Sequence, residues 1–192
     1  MTDYSEVIKL IGLLVHMREP FDNHGAHVAA LVEKMTAVMH IPDDEAEQMR
    51  VGANLHDIGK LLLDPDLINM PRRLAAAERA EMQNHTNLGW LAVRDAGYPK
   101  IIQDIVHHHQ EKWDGSGYPI GLQNELIPLA ARVVAICDVY AAMTHQRPYR
   151  EAYDHEFTKA LMVSLRGKDF DPRLVDLFFE KVAIEATPEV VK

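Results

Sequence analysis

The chain has 192 residues, of which 47% are hydrophobic and 26% charged, a composition typical of a folded domain and unlike that of disordered or fibrous proteins. Its 20 basic and 29 acidic residues give a formal net charge of −9, which argues against a nucleic-acid polymer as ligand because non-specific binding depends on neutralising phosphates. The single cysteine, Cys137, excludes an internal disulfide, and the first apolar stretch is broken by Lys9 and His16. We therefore expect a cytoplasmic protein without a membrane segment.

The hydrophobic periodicity is helical almost throughout the chain, and strand-like alternation is nearly absent. Apolar residues at the spacing of Leu31, Met35 and Val38 predict a helix that begins near residue 23. Periodicity, glycine and proline predict further helices over about 1–16, 43–57, 75–96, 100–111, 128–143, 155–165 and 172–182. Segments 60–71 and 114–127 are expected to be loops. The pattern predicts an all-α, bundle-like fold in a single domain over residues 1–192.

The helix expected over 128–143 carries a carboxylate in an otherwise apolar stretch. Between Leu129 and Met143 only Arg132 and Asp138 are charged. Asp138 should therefore lie in the interior, where an ionised carboxylate costs several kcal/mol unless a positive charge pairs with it. An arginine or a metal ion would satisfy this requirement equally well.

Histidines are enriched, with eleven in the chain, and some continue apolar stripes on three different predicted helices: His24, His56 and His85. Singly, each is more often a packed core histidine than a ligand. Together with Asp57, Asp138 and the run His107 to His109, they indicate a metal centre in the core of the bundle. Nitrogen and oxygen donors without thiolate favour iron, manganese, zinc or nickel.

Three motifs follow one another in the sequence: His56-Asp57-Ile-Gly-Lys60, Trp113-Asp-Gly-Ser-Gly-Tyr-Pro119 and Arg147-Pro-Tyr-Arg150. In this order they resemble the HD-GYP subfamily of the HD metal-dependent phosphohydrolases, and the motif-bearing part extends over about residues 23–182. The resemblance implies an HD-domain helical bundle with a metal centre in its core. It also implies a phosphodiesterase that hydrolyses cyclic di-GMP to the linear dinucleotide pGpG.

The resemblance implies a set of metal ligands: His24, His56, Asp57, His85, His109 and Asp138. It implies two divalent transition-metal ions, iron or manganese before zinc or nickel, with Asp57 between them. We expect the first ion to be bound by His24, His56, Asp57 and Asp138. The second, weaker ion would be bound by Asp57, His85 and His109.

The resemblance also implies roles in catalysis and substrate binding. Asp57 and Lys60 are the implied catalytic residues. The residues implied to contact a cyclic dinucleotide are Lys60, Tyr118, Arg147 and Arg150. Tyr118 equally suits a structural turn, and Arg150 a salt bridge at a helix end. In the subfamily the Gly117-Tyr118-Pro119 loop is also associated with protein contacts, so a diguanylate cyclase or another protein is an expected partner.

The chain departs from the subfamily pattern at four positions: Pro20, His27, Gln110 and Ala141. Gln110 replaces one of two paired histidines, and His107 or His108 would have to turn inward to substitute for it. Two alternative functions therefore stay open. One is a degenerate, non-catalytic cyclic di-GMP receptor or protein adaptor, and the other is an HD-type phosphohydrolase acting on a mononucleotide.

Overall fold

The computed structural model describes residues 24–145 and 151–184, and within these ranges the chain is helical, with no β-strand. The α-helices are α1 (His24–Val38), α2 (Asp43–Leu55), α3 (Pro65–Ile68), α4 (Ala76–Gln83), α5 (His85–Asp95), α6 (Lys100–His108), α7 (Leu129–Thr144), α8 (His155–Ser164) and α9 (Pro172–Lys181). Two 3₁₀ turns span Ile58–Leu62 and Asn124–Leu126. The predicted all-α fold is confirmed. None of the described helices is both long and apolar enough to cross a bilayer.

Local sequence signals account for several helix starts. Pro99 and Pro128 directly precede α6 and α7. The Asp154 carboxylate accepts a hydrogen bond from a backbone N–H in the first turn of α8, and Asp171 does the same for α9, where Pro172 is the first helical residue. Such caps satisfy amides that have no partner inside the helix.

The prediction of one helix over 75–96 was wrong, because the structure has two helices separated at Asn84. The imidazole Nδ1 of His85 donates to the carbonyl of Met82, and the hydroxyl of Thr86 donates to the carbonyl of Gln83. Side chains that bond carbonyls in this way compete with the backbone pattern of a continuous helix. The expected loop 60–71 likewise contains helical turns, namely the end of the first 3₁₀ turn and α3.

The main core lies where α1, α7 and α9 meet, and its fully buried side chains include Val32, Met35, Ile136 and Phe178. Helix α2 packs between α1 and α6, and α6 packs against α5 and α7. A smaller core of Val51, Leu55, Val93, Tyr98, Ile102 and Val106 joins α2, α5 and α6. The helices that carry the predicted site residues are therefore the ones that pack around these two cores.

The first 3₁₀ turn packs directly on α5 through a close backbone approach at Gly59. A Cβ atom at Gly59 would lie 1.9 Å from the carbonyl oxygen of His85 and 2.6 Å from the backbone nitrogen of Gly89. No side chain fits there, since real contacts of a Cβ atom are longer. The glycine therefore lets Asp57 and Lys60 lie next to His85.

Candidate metal centre

The six predicted ligand side chains come from distant parts of the chain, and the structure brings them together. The four histidines lie at helix ends: His24 and His85 begin α1 and α5, while His56 and His109 directly follow α2 and α6. Asp57 follows His56, and Asp138 lies in the middle of α7. The donor atoms of His24, His56 and Asp138 lie within 4.8 Å of one another, as do those of His56, Asp57 and His109.

Backbone carbonyls fix the orientation of three of the imidazoles. The Nδ1 atom of His56 lies 2.7 Å from the carbonyl oxygen of Ala53, and that of His85 lies 2.7 Å from Met82. The Nδ1 atom of His109 lies 3.2 Å from the carbonyl of Ile105. A carbonyl only accepts, so each Nδ1 carries a hydrogen and each ring turns its Nε2 toward the cluster. Metal-binding histidines are commonly held by such second hydrogen bonds.

Asp57 lies at the centre of the cluster. Its carboxylate oxygens lie 3.3 Å from Nε2 of His56, 3.3 Å from Nε2 of His85 and 3.7 Å from Nε2 of His109. Burial by itself would raise the pKa of Asp57, but the charges of Lys60 and His56 outweigh it and hold that pKa well below its usual value. Asp57 is therefore an ionised carboxylate faced by three imidazoles.

Asp138 accepts a hydrogen bond of 2.7 Å from Nε2 of His24, and its carboxylate lies 3.9 Å from Nε2 of His56. Burial would raise the pKa of Asp138, but the bond from His24 outweighs it and lowers that pKa to about 2. The other charged residue of α7, Arg132, pairs at 2.7 Å with Asp171 instead. Within the described ranges, Asp138 thus faces imidazoles rather than an arginine.

The arrangement of the donors fits divalent cations. Burial favours neutral His56, yet the carboxylates of Asp57 and Asp138 raise its pKa to about 9, so this position attracts positive charge. Burial lowers the pKa of His85 to about 4, which leaves it neutral with a lone pair on Nε2 only 3.4 Å from Nε2 of His109. Among the described residues, the buried Nε2 of His56 makes no well-aligned hydrogen bond, although Oδ2 of Asp57 lies 3.3 Å from it. Converging imidazoles and carboxylates are groups that transition metals prefer as ligands, and a metal that binds displaces the protons that they carry.

Two further predicted residues lie at the edge of this cluster. The ammonium of Lys60 lies 2.7 Å from Oδ2 of Asp57, and 22% of the Lys60 side chain is exposed. The ring of Tyr118 meets that of His85 edge-on, with centroids 6.2 Å apart. Burial, reinforced by Asp57, raises the pKa of Tyr118 to about 12, so its hydroxyl stays protonated. Both side chains therefore border the cluster.

Sequence reasoning missed the role of Glu111, which organises the glycine-rich loop over 112–123. Its side chain is fully buried, and its two oxygens accept hydrogen bonds from the backbone N–H groups of Ile120, Gly121 and Leu122. Gly117 is required for close packing, because a Cβ atom there would lie 2.3 Å from the backbone nitrogen of Lys112. A glutamate directly before a loop with three glycines was the signal that could have identified this anchor.

Several other expectations have clear outcomes. His107 and His108 do not substitute for the missing histidine: the ring of His107 stacks on Trp90, and His108 packs against His107 and faces Glu111. His27, one of the four departures from the subfamily pattern, stacks on His145 with ring centroids 3.8 Å apart. Arg147 and Arg150 lie outside the described residues, as do Pro20 and the helix predicted over 1–16.

The sequence is similar to that of known HD-domain proteins. A model of the HD domain matches residues 9–174. A probable cyclic di-GMP phosphodiesterase of Vibrio cholerae is 41% identical over 134 residues, or 66% of this chain and 30% of its own. The 3′3′-cGAMP-specific phosphodiesterase 2 of the same organism is 33% identical over 162 residues, or 81% of this chain and 31% of its own.

The fold is also similar to a solved structure. The cyclic GMP-AMP-specific phosphodiesterase V-cGAP3 of V. cholerae superimposes with a TM-score of 0.69 and 17% identity, over 90% of this chain and 47% of that one. At this identity the likeness concerns the fold. The chain spans less than a third of the length of the two curated relatives, so their names describe proteins with additional regions.

Proposed function

The chain belongs to the HD-domain family, and on that premise we propose that it is a metal-dependent phosphodiesterase that opens cyclic di-GMP to the linear dinucleotide pGpG. The observation that carries this proposal is the convergence of imidazole Nε2 atoms from His56, His85 and His109 on the carboxylate of Asp57. The relatives are named as phosphodiesterases of cyclic di-GMP or cGAMP, and these names support a cyclic dinucleotide as substrate.

Two divalent transition-metal ions, iron or manganese before zinc or nickel, are part of this proposal. His24, His56, Asp57 and Asp138 would hold one ion, and Asp57, His85 and His109 the other. When bound, the pair would supply an acidified water for in-line attack on a phosphodiester. The first set is supported by the 2.7 Å contact between His24 and Asp138, and the second by the contacts of His85 and His109 to Asp57.

The protein's own residues would bind and orient the substrate around this centre. Lys60 lies against Asp57 at the rim and offers an ammonium to a non-bridging phosphate oxygen, where charge grows during attack. Tyr118 would contact the sugar or base, since its ring lies beside His85. We also propose that Arg147 and Arg150 contact phosphate, and this part of the proposal is supported only by the sequence motif. A cytoplasmic location, and a diguanylate cyclase or another protein as partner at the Gly117 to Pro119 loop, are also proposals.

The experiment that tests this proposal is hydrolysis of cyclic di-GMP by the anaerobically purified, metal-loaded chain, with the products identified by mass spectrometry. We expect pGpG as product, no activity after chelation and recovery on adding back iron or manganese. Metal-loaded protein that leaves cyclic di-GMP, 3′3′-cGAMP and mononucleotides intact would overturn the enzymatic proposal. Turnover of mononucleotides alone would favour the mononucleotide phosphohydrolase.

A non-catalytic receptor or adaptor is the second candidate, and the residues that favour it are Gln110 and Ala141, which replace a histidine and an aspartate of the subfamily pattern. The double variant Gln110→His and Ala141→Asp separates the two candidates. If the wild type binds cyclic di-GMP without hydrolysing it and the double variant gains activity, the receptor function is correct. If the wild type is active, the enzymatic function is correct.

A further inference from the structure

A polar hollow of about 360 Å³ lies beside the metal centre, at the break between α4 and α5. We call it the α4–α5 hollow; its polar side chains are Glu81, Gln83, Asn84 and Asn87, and Tyr118 and Pro119 form its other wall. Its volume is in the range of small-ligand pockets. Asn84 directly precedes His85, and Tyr118 contacts His85, so the hollow and the metal centre share a wall.

The amide of Asn84 is held in one orientation by a chain of contacts behind it. Its Oδ1 accepts a hydrogen bond of 3.1 Å from Nδ2 of Asn87, and Oδ1 of Asn87 accepts one of 3.1 Å from Nε2 of His107. The His107 ring stacks on Trp90 with centroids 4.7 Å apart and an interplanar angle of 15°. Because its oxygen is engaged, Asn84 offers the hollow an N–H donor.

Glu81 supplies a hydrogen-bond acceptor to the hollow, because it is an exposed residue whose carboxylate is among the groups that line it. Within the described part of the chain, this carboxylate and the side-chain N–H₂ groups of Gln83 and Asn84 have no hydrogen-bond partner. The hollow therefore combines a charged acceptor, two amide donors and the aromatic side chain of Tyr118. Proteins recognise unstacked bases with this combination, by stacking on the ring and hydrogen bonding along the base edge.

We propose that the α4–α5 hollow binds one guanine base of the substrate and selects it over adenine. The Glu81 carboxylate would accept hydrogen bonds from the N1 and N2 donors of guanine, and Asn84 would donate to its O6. Adenine presents an acceptor at N1 and a donor group at N6, the reverse pattern. It would place a ring lone pair against the carboxylate and a donor against the Asn84 amide, and such unpaired polar groups give strong discrimination.

This inference rests on the proposed phosphodiesterase function, and it gives each polar residue of the hollow a specific role. Glu81 and Asn84 would contact the base, whereas Asn87 would be a positioning residue that acts through Asn84. None of the three belongs to the metal ligand set. Changes in them should therefore appear in KM and in the choice between bases, while the metal content stays the same.

The test measures kcat and KM of the metal-loaded chain for cyclic di-GMP and cyclic di-AMP, in the wild type and in Glu81→Gln and Asn84→Ala. We expect KM for cyclic di-GMP to rise about tenfold in each variant, the cost of losing a charged or specific hydrogen bond. The ratio of kcat/KM between the two substrates should fall by a similar factor, with kcat changed by about twofold at most. Glu45→Gln, an exposed position on α2 with the same change of charge, is the matched control.

The positioning role is tested by Asn87→Ala alone and combined with Asn84→Ala. We expect the single variant to raise KM and lower the guanine preference, and the double variant to be no worse than Asn84→Ala alone, because both changes affect one contact. Additive effects of the two changes would contradict positioning through Asn84.

Two failures are distinguishable. If the wild type hydrolyses cyclic di-GMP but Glu81→Gln and Asn84→Ala keep its KM and base preference, the guanine subsite is wrong and the phosphodiesterase function stands. If the metal-loaded wild type neither binds nor hydrolyses any cyclic dinucleotide, both proposals are wrong. Metal analysis and melting curves of each variant confirm that the altered proteins are folded and loaded.

Discussion

Asp57 and Glu111 are both carboxylates with little exposure to solvent, the Asp57 side chain 14% exposed and that of Glu111 fully buried, but they have different partners. The oxygens of Glu111 accept hydrogen bonds from three consecutive backbone N–H groups. The oxygens of Asp57 face imidazole Nε2 atoms and the Lys60 ammonium. Backbone N–H groups satisfy the Glu111 carboxylate permanently, whereas imidazoles with their Nδ1 hydrogens engaged turn their Nε2 atoms toward Asp57. The first arrangement stabilises a loop, and the second is suited to a cation.

The same difference in partners distinguishes two further acids of the described chain. Asp171 resembles Glu111, since Arg132 and the backbone N–H of Arg173 satisfy it. Asp138 resembles Asp57, since it faces His24 and His56. Removing an acid of the first kind should reduce stability, and removing one of the second kind should remove metal.

The largest effect is expected from Asp57→Ala. Asp57 is the proposed ligand of both ions, so the variant should contain almost no metal and hydrolysis should fall to background. Metal content per chain by mass spectrometry, together with the hydrolysis assay, measures this. Melting in the presence of a chelator is the control, because the metal-free variant should be about as stable as the metal-free wild type. If Asp57→Ala still binds two ions per chain, Asp57 is not a metal ligand and does not differ from Glu111 in the way proposed.

A smaller effect on metal content is expected from His85→Ala. His85 contacts Asp57 but is not among the donors around His24 and Asp138, so we expect one ion to be lost and one to stay. His107→Ala is a matched control, since this histidine stacks on Trp90 outside the cluster. Equal loss of metal in both variants would show that the two proposed sites are not distinct.

Lys60→Ala should keep both ions and slow turnover about 100-fold, the usual cost of removing one group that stabilises transition-state charge. Steady-state kinetics and metal analysis of the same preparation check this. Lys60→Arg, which keeps the charge, should recover part of the rate. A variant with the wild-type kcat would remove Lys60 from the catalytic residues.

Glu111→Gln should reduce stability by about 2 kcal/mol, because the amide replaces a charged acceptor of several backbone N–H groups with one neutral oxygen. Urea unfolding measures this loss, and Glu45→Gln on the exposed face of α2 should change the unfolding free energy little. Metal content at low temperature should stay at the wild-type value. If Glu111→Gln loses metal but not stability, Glu111 supports the metal centre, as Asp57 does, rather than the loop.

Much of the fold could be predicted from the sequence because apolar periodicity and proline positions mark helices such as α1, α7 and α9. The break at Asn84 could not, since it depends on side chains of His85 and Thr86 that bond carbonyls of the preceding turn. The family match over residues 9–174 agrees with the resemblance found in the motifs. The single domain over the whole chain stays a prediction.

The sequence could predict that these residues lie close together but not their geometry, and their roles as metal ligands stay a prediction. Inward histidines and Asp138 stood out because polar groups on apolar helix faces need a reason. That Nδ1 hydrogens of His56, His85 and His109 would all go to backbone carbonyls depends on tertiary placement. The anchoring by Glu111 was missed because its partners are backbone groups, which carry no residue-type signal.

The central claim is that the imidazoles and carboxylates around Asp57 bind two divalent transition-metal ions. The most direct test is to count the metal ions in anaerobically purified wild-type chain by mass spectrometry after dialysis against metal-free buffer. We expect close to two ions of iron or manganese per chain, and we expect a chelator to release both ions and to lower the melting temperature. Protein that stays metal-free when iron, manganese, zinc and nickel are supplied, with the same melting temperature throughout, would contradict it.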